Sequence, residues 1–346
     1  MVALSKASNA FLAWTASQGI QTTLNLAERA NGRYTSCSQD IQAGQDLLSC
    51  PLSACIVAGS LEELAEYLSY ERKRGEKSKY APYMDVLPSM EDDNLLALPR
   101  FWNSKRLDMV TDGGQLEARM LRDERKDIDQ WALACVDSRA NFLGDGRYAM
   151  TPMLDMINHD GTAQTRARID VNKGFSGSGN VLHLTTGTSY PKGDEAYISY
   201  GNLANIDSLV DYGFVAENNI HNKESVEVRM MRQRPFPITV YADGSIDAGS
   251  KATLRYNLAT EEELEVFSNL EEGQGLGILA KPISNRNELD VSSFIASTIA
   301  EASDEARAGA DDAKGDSLIH AYLSERAKLL DLAIERIKSK YPALEY

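Results

Sequence analysis

The ten residues TPMLDMINHD, from Thr151 to Asp160, pose the question that decides the fold. The stretch begins like a buried strand, because four apolar residues surround a single acid, Asp155, and it then ends on Asn158 and His159. Burying an amide, an imidazole or a carboxylate without partners costs about 1–3 kcal/mol for each group. We therefore expect either an ordinary strand end or a place where the fold presents polar groups to a ligand.

The composition limits the classes of function. The chain has 346 residues, 43% of them hydrophobic, which is enough for a full-sized core and for two or three structural units. Its net charge of -15 argues against nucleic acid as the main ligand and favours a protein partner that carries a basic segment. It has no apolar run long enough to span a bilayer and no secretory signal pattern. We expect a cytoplasmic monomer, with a nuclear or plastid location left open.

The cysteines and histidines indicate no metal site. The four cysteines contain no CxxC pair, and we expect free thiols in a reducing compartment. The four histidines form no HxxxH or HxH pair. The residues in question are Cys37, Cys50, Cys55, Cys135, His159, His183, His221 and His320.

Other common motifs fail. Gly177 and Gly179 form a GxG, but the strand-like NVLHLTT follows where a dinucleotide fingerprint needs a helix N-terminus, so a hairpin loop is favoured. GQGLG, from Gly273 to Gly277, follows a helical pattern and predicts a helix end. The chain has no Walker lysine motif and no GxSxG nucleophile elbow.

The pattern along the chain predicts small β elements interrupted by helices. Short strands separated by turns precede Ser60, which forms a capping-box signature with Glu63 at the start of the helical segment. RARIDVN and NVLHLTT then predict a hairpin around the glycine-rich KGFSGSG. Because the β elements on the two sides of the helical segment are too short for separate cores, we expect them to pair with each other.

Beyond Phe214 the pattern changes again. SVEVRMM and PITVYADGSID predict strands, and helical runs follow to the C-terminus. EASDEARAGADDAKGD predicts a helix end that runs into a mobile linker. SLIHAYLSERAKLLDLAIERIKSKY then predicts a helix with one apolar stripe from Ile319 to Ile337, which we interpret as a packing face.

Three segments in a fixed order hold most of the chemistry: NGRYTSCSQDIQAGQDLLSCP, VDSRANF with the following PMLDMINHD, and GDEAYISYGNLANIDSLVDYGF. Taken singly, each has an ordinary explanation. Asn158 and His159 can cap a strand, Tyr200 can pack its ring at a strand end, and Arg139 can pair with Asp155 or with Asp137. Their joint occurrence across a helical insertion is much more specific.

With these motifs in order, the chain resembles the SET-domain methyltransferases that include the Rubisco large-subunit lysine methyltransferases and the actin-histidine methyltransferase. The resemblance covers roughly residues 9 to 218, and it also includes YAPYMDVLP and FWNSKRL. It implies an α+β SET-domain fold of small β-sheets with a pseudoknot, a helical insertion and a mostly helical C-terminal domain. The expected boundaries are 1–59 and 136–220 for a discontinuous SET domain, 60–135 for the insertion and 221–346 for a C-terminal substrate-binding-like domain.

The resemblance also implies a cofactor, S-adenosylmethionine, and an activity, protein-lysine N-methylation of a non-histone protein docked by the C-terminal domain, with no metal. Tyr200 matches the catalytic tyrosine. The positions that match cofactor contacts are Asn31, Gly32, Arg33, Arg139, Asp155, Asn158, His159, Tyr212 and Phe214. The positions expected to contact the substrate are Asn141, Phe142 and Leu154.

Departures from the family pattern keep two alternatives open. Asn141 stands where lysine-methylating relatives carry an aromatic residue and where the histidine-methylating relative has an asparagine, although Leu154 stands where the histidine pattern has a tryptophan. Histidine methylation is therefore the first alternative. Tyr34 replaces a glycine of the first loop, and the usual Pro-Asn after His159 is missing, which makes a non-catalytic protein-binding scaffold the second. The substrate protein and the number of methyl groups stay open.

Overall fold

A computed structural model of the chain describes residues 4–29, 32–122, 125, 127–170, 179–230, 234–265 and 279–342. The chain divides into two compact units. Unit 1 comprises Met1–Phe101, Asp123–Asn202 and Asp211–Gly213, and unit 2 comprises Trp102–Arg122, Leu203–Val210 and Phe214–Tyr346. Unit 2 thus takes residues 102–122 from the expected insertion and residues 203–210 and 214–220 from the expected SET domain. The boundaries at 59, 135 and 220 stay a prediction.

The chain carries twelve α-helices within its described residues. They are α1 (Lys6–Ser17), α2 (Leu61–Arg74), α3 (Ala81–Met84), α4 (Asp93–Leu96), α5 (Ser104–Leu107), α6 (Gln115–Arg122), α7 (Gln130–Arg139), α8 (Asn205–Tyr212), α9 (Ala248–Asn257), α10 (Glu261–Leu264), α11 (Asn285–Asp312) and α12 (Ser317–Lys340). None of the helices in the described ranges is both long enough and apolar enough to cross a bilayer.

The strands of unit 1 are short. They are β1 (Gln21–Thr22), β2 (Leu24–Arg29), β3 (Gly32–Cys37), β4 (Asp46–Pro51), β5 (Ile56–Ala58), β6 (Ala140–Phe142), β7 (Tyr148–Met150), β8 (Asn158–His159), β9 (Thr165–Asp170), β10 (Val181–Thr186) and β11 (Tyr197–Ile198). They form a four-stranded sheet in the order β1-β4-β10-β9, a three-stranded sheet β5-β7-β6, the hairpin β2-β3 and the pair β8-β11.

The expected pairing across the helical segment is confirmed. β4, which precedes it, pairs antiparallel with β10, and β5 pairs antiparallel with β7. The predicted hairpin is present as the antiparallel pair β9-β10, although residues 171–178 of its glycine-rich loop lie outside the described residues. The helical segment begins as predicted, with the Ser60 hydroxyl accepting a hydrogen bond from the Glu63 amide at 3.1 Å.

The expectation that TPMLDMINHD is a strand is wrong for most of its length. Met153 has φ +73°, a 3-10 turn covers Leu154–Met156, and only Asn158 and His159 are in a strand. Leu154, Asp155 and Met156 are all buried, so the run faces the core on every side and has no strand alternation. β8 then pairs in parallel with β11, which lays the Asn-His segment beside the segment that leads into Tyr200, a pairing consistent with the expected pseudoknot.

Among its described residues, unit 2 contains one hairpin and the two longest helices. The two strands that the sequence predicts are present as β12 (Lys223–Val228) and β13 (Phe236–Tyr241), and they pair antiparallel. The expected mobile linker before the last helix is wrong, because α11 continues through that segment to Asp312. Its alanines at 302, 306 and 310 are buried, and α12 is the neighbour that it contacts most. The stripe on α12 is confirmed as a packing face, since Ile319, Tyr322 and Leu330 are fully buried.

Candidate active site

A cavity of about 350 Å³ opens in unit 1. It lies where α7 runs into β6 and where the turn before β8 meets the end of β11. Its lining residues are Leu61, Val136, Asp137, Ser138, Arg139, Ala140, Asn141, Phe142, Tyr148, Leu154, Asp155, Ile198, Ser199, Tyr200 and Tyr212. Seven of the residues expected from the sequence to act at the site are therefore brought together at one cavity, although they come from four separate segments of the chain.

Tyr200 is held at both its backbone and its side chain. Its hydroxyl donates to the Ile157 carbonyl at 2.7 Å, and its amide donates to Nδ1 of His159 at 3.0 Å. Its ring lies 4.8 Å from the Tyr212 ring and 5.0 Å from the His159 ring, measured between centroids. Burial raises the pKa of the Tyr200 hydroxyl above its ordinary value, and the neighbouring Arg139 opposes that rise. The hydroxyl therefore stays protonated and acts as an oriented donor and acceptor.

Asp155 and Arg139 form an incompletely satisfied pair at the cavity. Arg139 Nη1 donates to the Asp155 backbone carbonyl at 2.7 Å, while its distance to the Asp155 carboxylate oxygen Oδ2 is 3.9 Å. Arg139 Nε and Asp155 Oδ1 are buried without a hydrogen-bond partner among the described residues. Burial raises the pKa of Asp155 to about 6, against the opposing effects of Arg139 and of the Tyr83 hydroxyl. Such a pair has bonding capacity left for a ligand.

Tyr83 is a residue of this site that the sequence analysis missed. Its side chain is fully buried, and its hydroxyl donates to Asp155 Oδ2 at 2.6 Å. Burial raises its pKa well above the ordinary value of tyrosine, so it remains a donor. The motif YAPYM was part of the resemblance, but nothing in the sequence shows that this tyrosine reaches an acid 72 positions later.

The remaining cavity residues supply aromatic and amide surface. Burial raises the pKa of Tyr212 to about 12, with Asp211 and Asp137 adding to the effect. Asn141 Nδ2 donates to the Arg139 carbonyl at 3.2 Å, so its amide is oriented by the neighbouring backbone. Phe142 is 60% exposed and packs against Tyr148 at 5.3 Å between ring centroids. Leu154 is buried.

Asn158 and His159 lie beside the cavity lining on β8, where they pair with Tyr197 and Ile198. Asn158 Nδ2 donates to Glu195 Oε1 at 2.6 Å, and Glu195 is a second residue that the sequence analysis missed. Nδ1 of His159 accepts the Tyr200 amide, so the neutral ring carries its proton on Nε2. Within the described ranges, no group of three or more His, Cys, Asp or Glu side chains is placed to hold a metal ion.

The residues expected in the first loop are not part of the cavity lining. Gly32 has φ +127°, and a Cβ atom there would lie 3.1 Å from Nδ2 of Asn94, so the backbone and the space both favour glycine. The Arg33 guanidinium is engaged by the Val86 carbonyl at 2.9 Å and by the Ser8 hydroxyl at 3.2 Å. Asn31 lies outside the described residues. Phe214 belongs to unit 2, where its amide donates to the Ser208 carbonyl at 3.3 Å.

Comparison with curated proteins finds several distant relatives, although no protein-family model matches the chain. A SET domain-containing protein 4 of Artemia parthenogenetica is 22% identical over 244 residues, which are 56% of this chain and 58% of that protein. The chloroplastic [fructose-bisphosphate aldolase]-lysine N-methyltransferase of Arabidopsis thaliana is 25% identical over 277 residues, 65% of this chain and 55% of that protein. The actin-histidine N-methyltransferase of Danio rerio is 24% identical over 239 residues, 59% of this chain and 39% of that protein. The chain spans little more than half the length of the first two.

Comparison with solved structures establishes the fold. A crystal structure of the SET domain of LSMT bound to lysine and AdoHcy matches with a TM-score of 0.71 at 19% identity, over 98% of this chain and 92% of that one. Rubisco LSMT bound to sinefungin and monomethyllysine also matches with a TM-score of 0.71, at 18% identity, over 99% of this chain and 95% of that one. The chain has this SET-domain fold, and the resemblance expected from its motifs is confirmed.

Proposed function

We propose that this chain is an S-adenosylmethionine-dependent protein N-methyltransferase that acts on a lysine of a non-histone protein. The observation that carries the proposal is the single cavity at which Tyr200 and Tyr212 meet Arg139 and Asp155. The relatives and solved structures support it independently, because they include a lysine N-methyltransferase and a complex with lysine and AdoHcy.

The residues of unit 1 fit this cofactor. Arg139 Nε and Asp155 Oδ1, buried and without partners among the described residues, offer a cation and an acceptor to a ligand that carries both a carboxylate and positive charge. S-adenosylmethionine, when bound, would supply a sulfonium methyl group that a nitrogen nucleophile attacks in line, with the thioether of S-adenosylhomocysteine as the leaving group. The residues that would hold the cofactor are Arg139, Asp155 and Tyr212 at the cavity and Asn158 and His159 beside it, together with Asn31, Gly32 and Arg33, which the resemblance adds. Phe214, which the resemblance also adds, belongs to unit 2 and its role stays a prediction.

The residues of the chain then have to position a nitrogen and to keep it neutral. The Tyr200 hydroxyl is fixed by its bond to the Ile157 carbonyl, and its oxygen keeps lone pairs that can accept an N–H from the incoming amine. Holding the amine on the reaction axis is where most of the acceleration would arise. The aromatic rings of Tyr148 and Tyr212 line the cavity. A lysine amine held against these rings would lose hydration, which disfavours its ammonium form.

The proposal is tested with purified protein, labelled S-adenosylmethionine and a cell lysate, followed by mapping of the labelled residue. We expect cofactor binding by calorimetry and label on a lysine. Tyr200→Phe should lower the rate of transfer by about 100-fold or more, because the amine loses its orientation, while cofactor binding changes little. Tyr190→Phe is the matched control, since its hydroxyl makes only a 3.3 Å contact with the Tyr197 carbonyl and does not line the cavity.

The possible outcomes separate the proposal from the scaffold alternative. Absence of cofactor binding, or binding without transfer to any protein of the lysate, would support a non-catalytic SET-like scaffold. An equal loss of rate in Tyr200→Phe and Tyr190→Phe would show that the cavity hydroxyl has no special part in the reaction.

Histidine methylation is the second candidate, and Asn141 is the observation that favours it. Asn141 lines the cavity at the position where the resemblance expects an aromatic residue in lysine-methylating relatives, and its amide can bond an imidazole. If the target is histidine, Asn141→Phe should reduce methylation by about tenfold or more, since one oriented hydrogen bond is lost. An unchanged rate on an unchanged residue type would count against it.

We further propose that the expected C-terminal region, 221–346, docks the protein substrate. The apolar stripe on α12 is buried packing, so docking would use other surfaces of that region. The monomeric state and the cytoplasmic location remain predictions.

A further inference from the structure

A small cavity in unit 2 combines an apolar floor with positive charge. Its volume is about 110 Å³, and it is bounded by the turn after β13, by α9 and α11, and by the C-terminal end of α12. Ile246, Ile295 and Ile337 supply its apolar surface. This volume admits only a group of a few heavy atoms.

Cations outnumber anions at this cavity. Lys251, Arg336 and Lys340 line it, and Glu288 is the acid among the lining residues. The Glu288 carboxylate is already engaged by Arg255, with Nε to Oε2 at 2.8 Å and Nη2 to Oε1 at 3.1 Å. The chain as a whole has a net charge of -15, so a cationic cavity is not what its average composition predicts.

Two acids lie in the adjoining turn and helix start. Asp243 accepts from Arg336 at 3.1 Å, so one of the three lining cations already has an ion partner, and Asp247 accepts the Ser250 amide at 2.8 Å as the N-cap of α9. Neither of them lines the cavity.

Lys251 is the group that most needs a ligand. It is half-buried on α9, and its ammonium has no hydrogen bond or ion pair among the described residues. Burial lowers its pKa, and Lys340, Arg255 and Arg336 lower it further, against the opposing effect of Glu288. Ser245 and Ser292 also line the cavity, and their hydroxyls can donate to a bound group. Burying an ammonium without a partner is costly, and an oxyanion would satisfy all three donors.

We propose that this cavity binds an oxyanion, a carboxylate or a phosphate, carried on a short apolar stem. The cations and hydroxyls recognise the anionic group, and the isoleucine side chains contact the stem. The site lies wholly in unit 2 and does not depend on the proposed methyl transfer, so either proposal can fail without the other.

The test is calorimetric titration of the full chain with two probes, inorganic phosphate and butyrate, in a buffer of low ionic strength. The butyrate arm tests a carboxylate on an apolar stem, and the phosphate arm tests the anionic group alone. Lys251→Met keeps the length of the side chain and removes its charge, and we expect it to weaken binding of the better probe by about tenfold or more. Lys223→Met is the matched control, because Lys223 is exposed on β12 and does not line the cavity; it should change affinity less than twofold.

Thermal unfolding supplies a measurement that does not depend on affinity. Without either probe, Lys251→Met should be at least as stable as the natural chain, because it removes a half-buried charge that has no partner. With the better probe present the order should reverse, since only the natural chain gains stability from binding. The proposal would be overturned if neither probe bound or if Lys251→Met and Lys223→Met lost affinity for the probe equally. It would also be overturned if Lys251→Met had a lower melting temperature than the natural chain in probe-free buffer.

Discussion

Two buried arginine–carboxylate pairs, one in each unit, are built in opposite ways. In unit 2, Nε and Nη2 of Arg255 donate to the two carboxylate oxygens of Glu288, and Nη1 donates to the Leu279 carbonyl at 2.8 Å. In unit 1, Arg139 reaches the backbone of Asp155 but lies 3.9 Å from its carboxylate. The Arg255 side chain is 6% exposed, whereas that of Arg139 keeps 24% exposed towards a cavity that it lines.

The difference distinguishes a pair that stabilises the fold from a pair that is available to a ligand. Unused bonding capacity is not sufficient by itself: Glu224 and Arg326 in unit 2 also contain buried atoms without partners, although they are ion-paired with each other. They line neither of the two cavities described above. The mark of the candidate active site is therefore unused capacity together with a cavity that a ligand can enter.

The largest effect is expected when a charge is removed from the Arg255–Glu288 pair, which we call the closed pair. Glu288→Gln should lower the free energy of unfolding by about 3–5 kcal/mol at neutral pH, because it leaves the Arg255 guanidinium buried without its anion. Chemical denaturation monitored by circular dichroism measures this change.

Asp155→Asn is the matched variant in the Arg139–Asp155 pair, which we call the open pair. At neutral pH it should leave the free energy of unfolding unchanged or raise it, because burial already disfavours the Asp155 carboxylate and Arg139 keeps contact with the cavity. If the two variants destabilise the chain equally, the distinction between a closed and an open pair does not hold.

The parts of the fold that sequence patterns predicted depend on neighbouring residues. The Ser60 helix cap, the β9-β10 hairpin and the stripe on α12 are all local signals, and each is present, although the Glu63 carboxylate accepts from the Gly59 amide and does not complete a capping box with Ser60. Tyr200, Arg139 and Asp155 were identified through the order of motifs, and the structure brings them to one cavity. Their roles in binding and catalysis remain predictions.

The parts that sequence patterns missed depend on tertiary contacts. Tyr83 is 72 positions from Asp155, and Arg255 is 33 positions from Glu288, and neither pairing has a periodic signal. TPMLDMINHD was misjudged because a fully buried apolar run looks the same in a turn as in a strand. The linker before α12 was misjudged because α11 continues to Asp312 and its alanines at 302, 306 and 310 are buried.

A smaller effect is expected in the pH dependence of stability, measured as the difference in unfolding free energy between the natural chain and Asp155→Asn. Burial raises the pKa of Asp155 in the folded state to about 6, above the value of about 3.9 for an unfolded aspartate. The folded state therefore holds this proton more tightly, and the resulting stability is present below pH ~3.9 and lost as the pH rises through about 6. Between pH 4 and 7, the unfolding free energy of the natural chain should fall by about 2 kcal/mol relative to Asp155→Asn.

For Asp247→Asn in unit 2 we expect the stability difference from the natural chain to change with pH in the opposite direction. The Ser250 amide, which donates to Asp247 at the start of α9, lowers the pKa of this carboxylate below its ordinary value. The contribution of Asp247 to stability is present above the unfolded pKa and is lost as the pH falls. The unfolding free energy of the natural chain should therefore rise relative to that of Asp247→Asn as the pH rises. Urea denaturation of all three proteins across this range should give two difference curves of opposite slope. Parallel curves would mean that Asp155 is as well satisfied in the fold as a helix cap, and the candidate site would lose its open carboxylate.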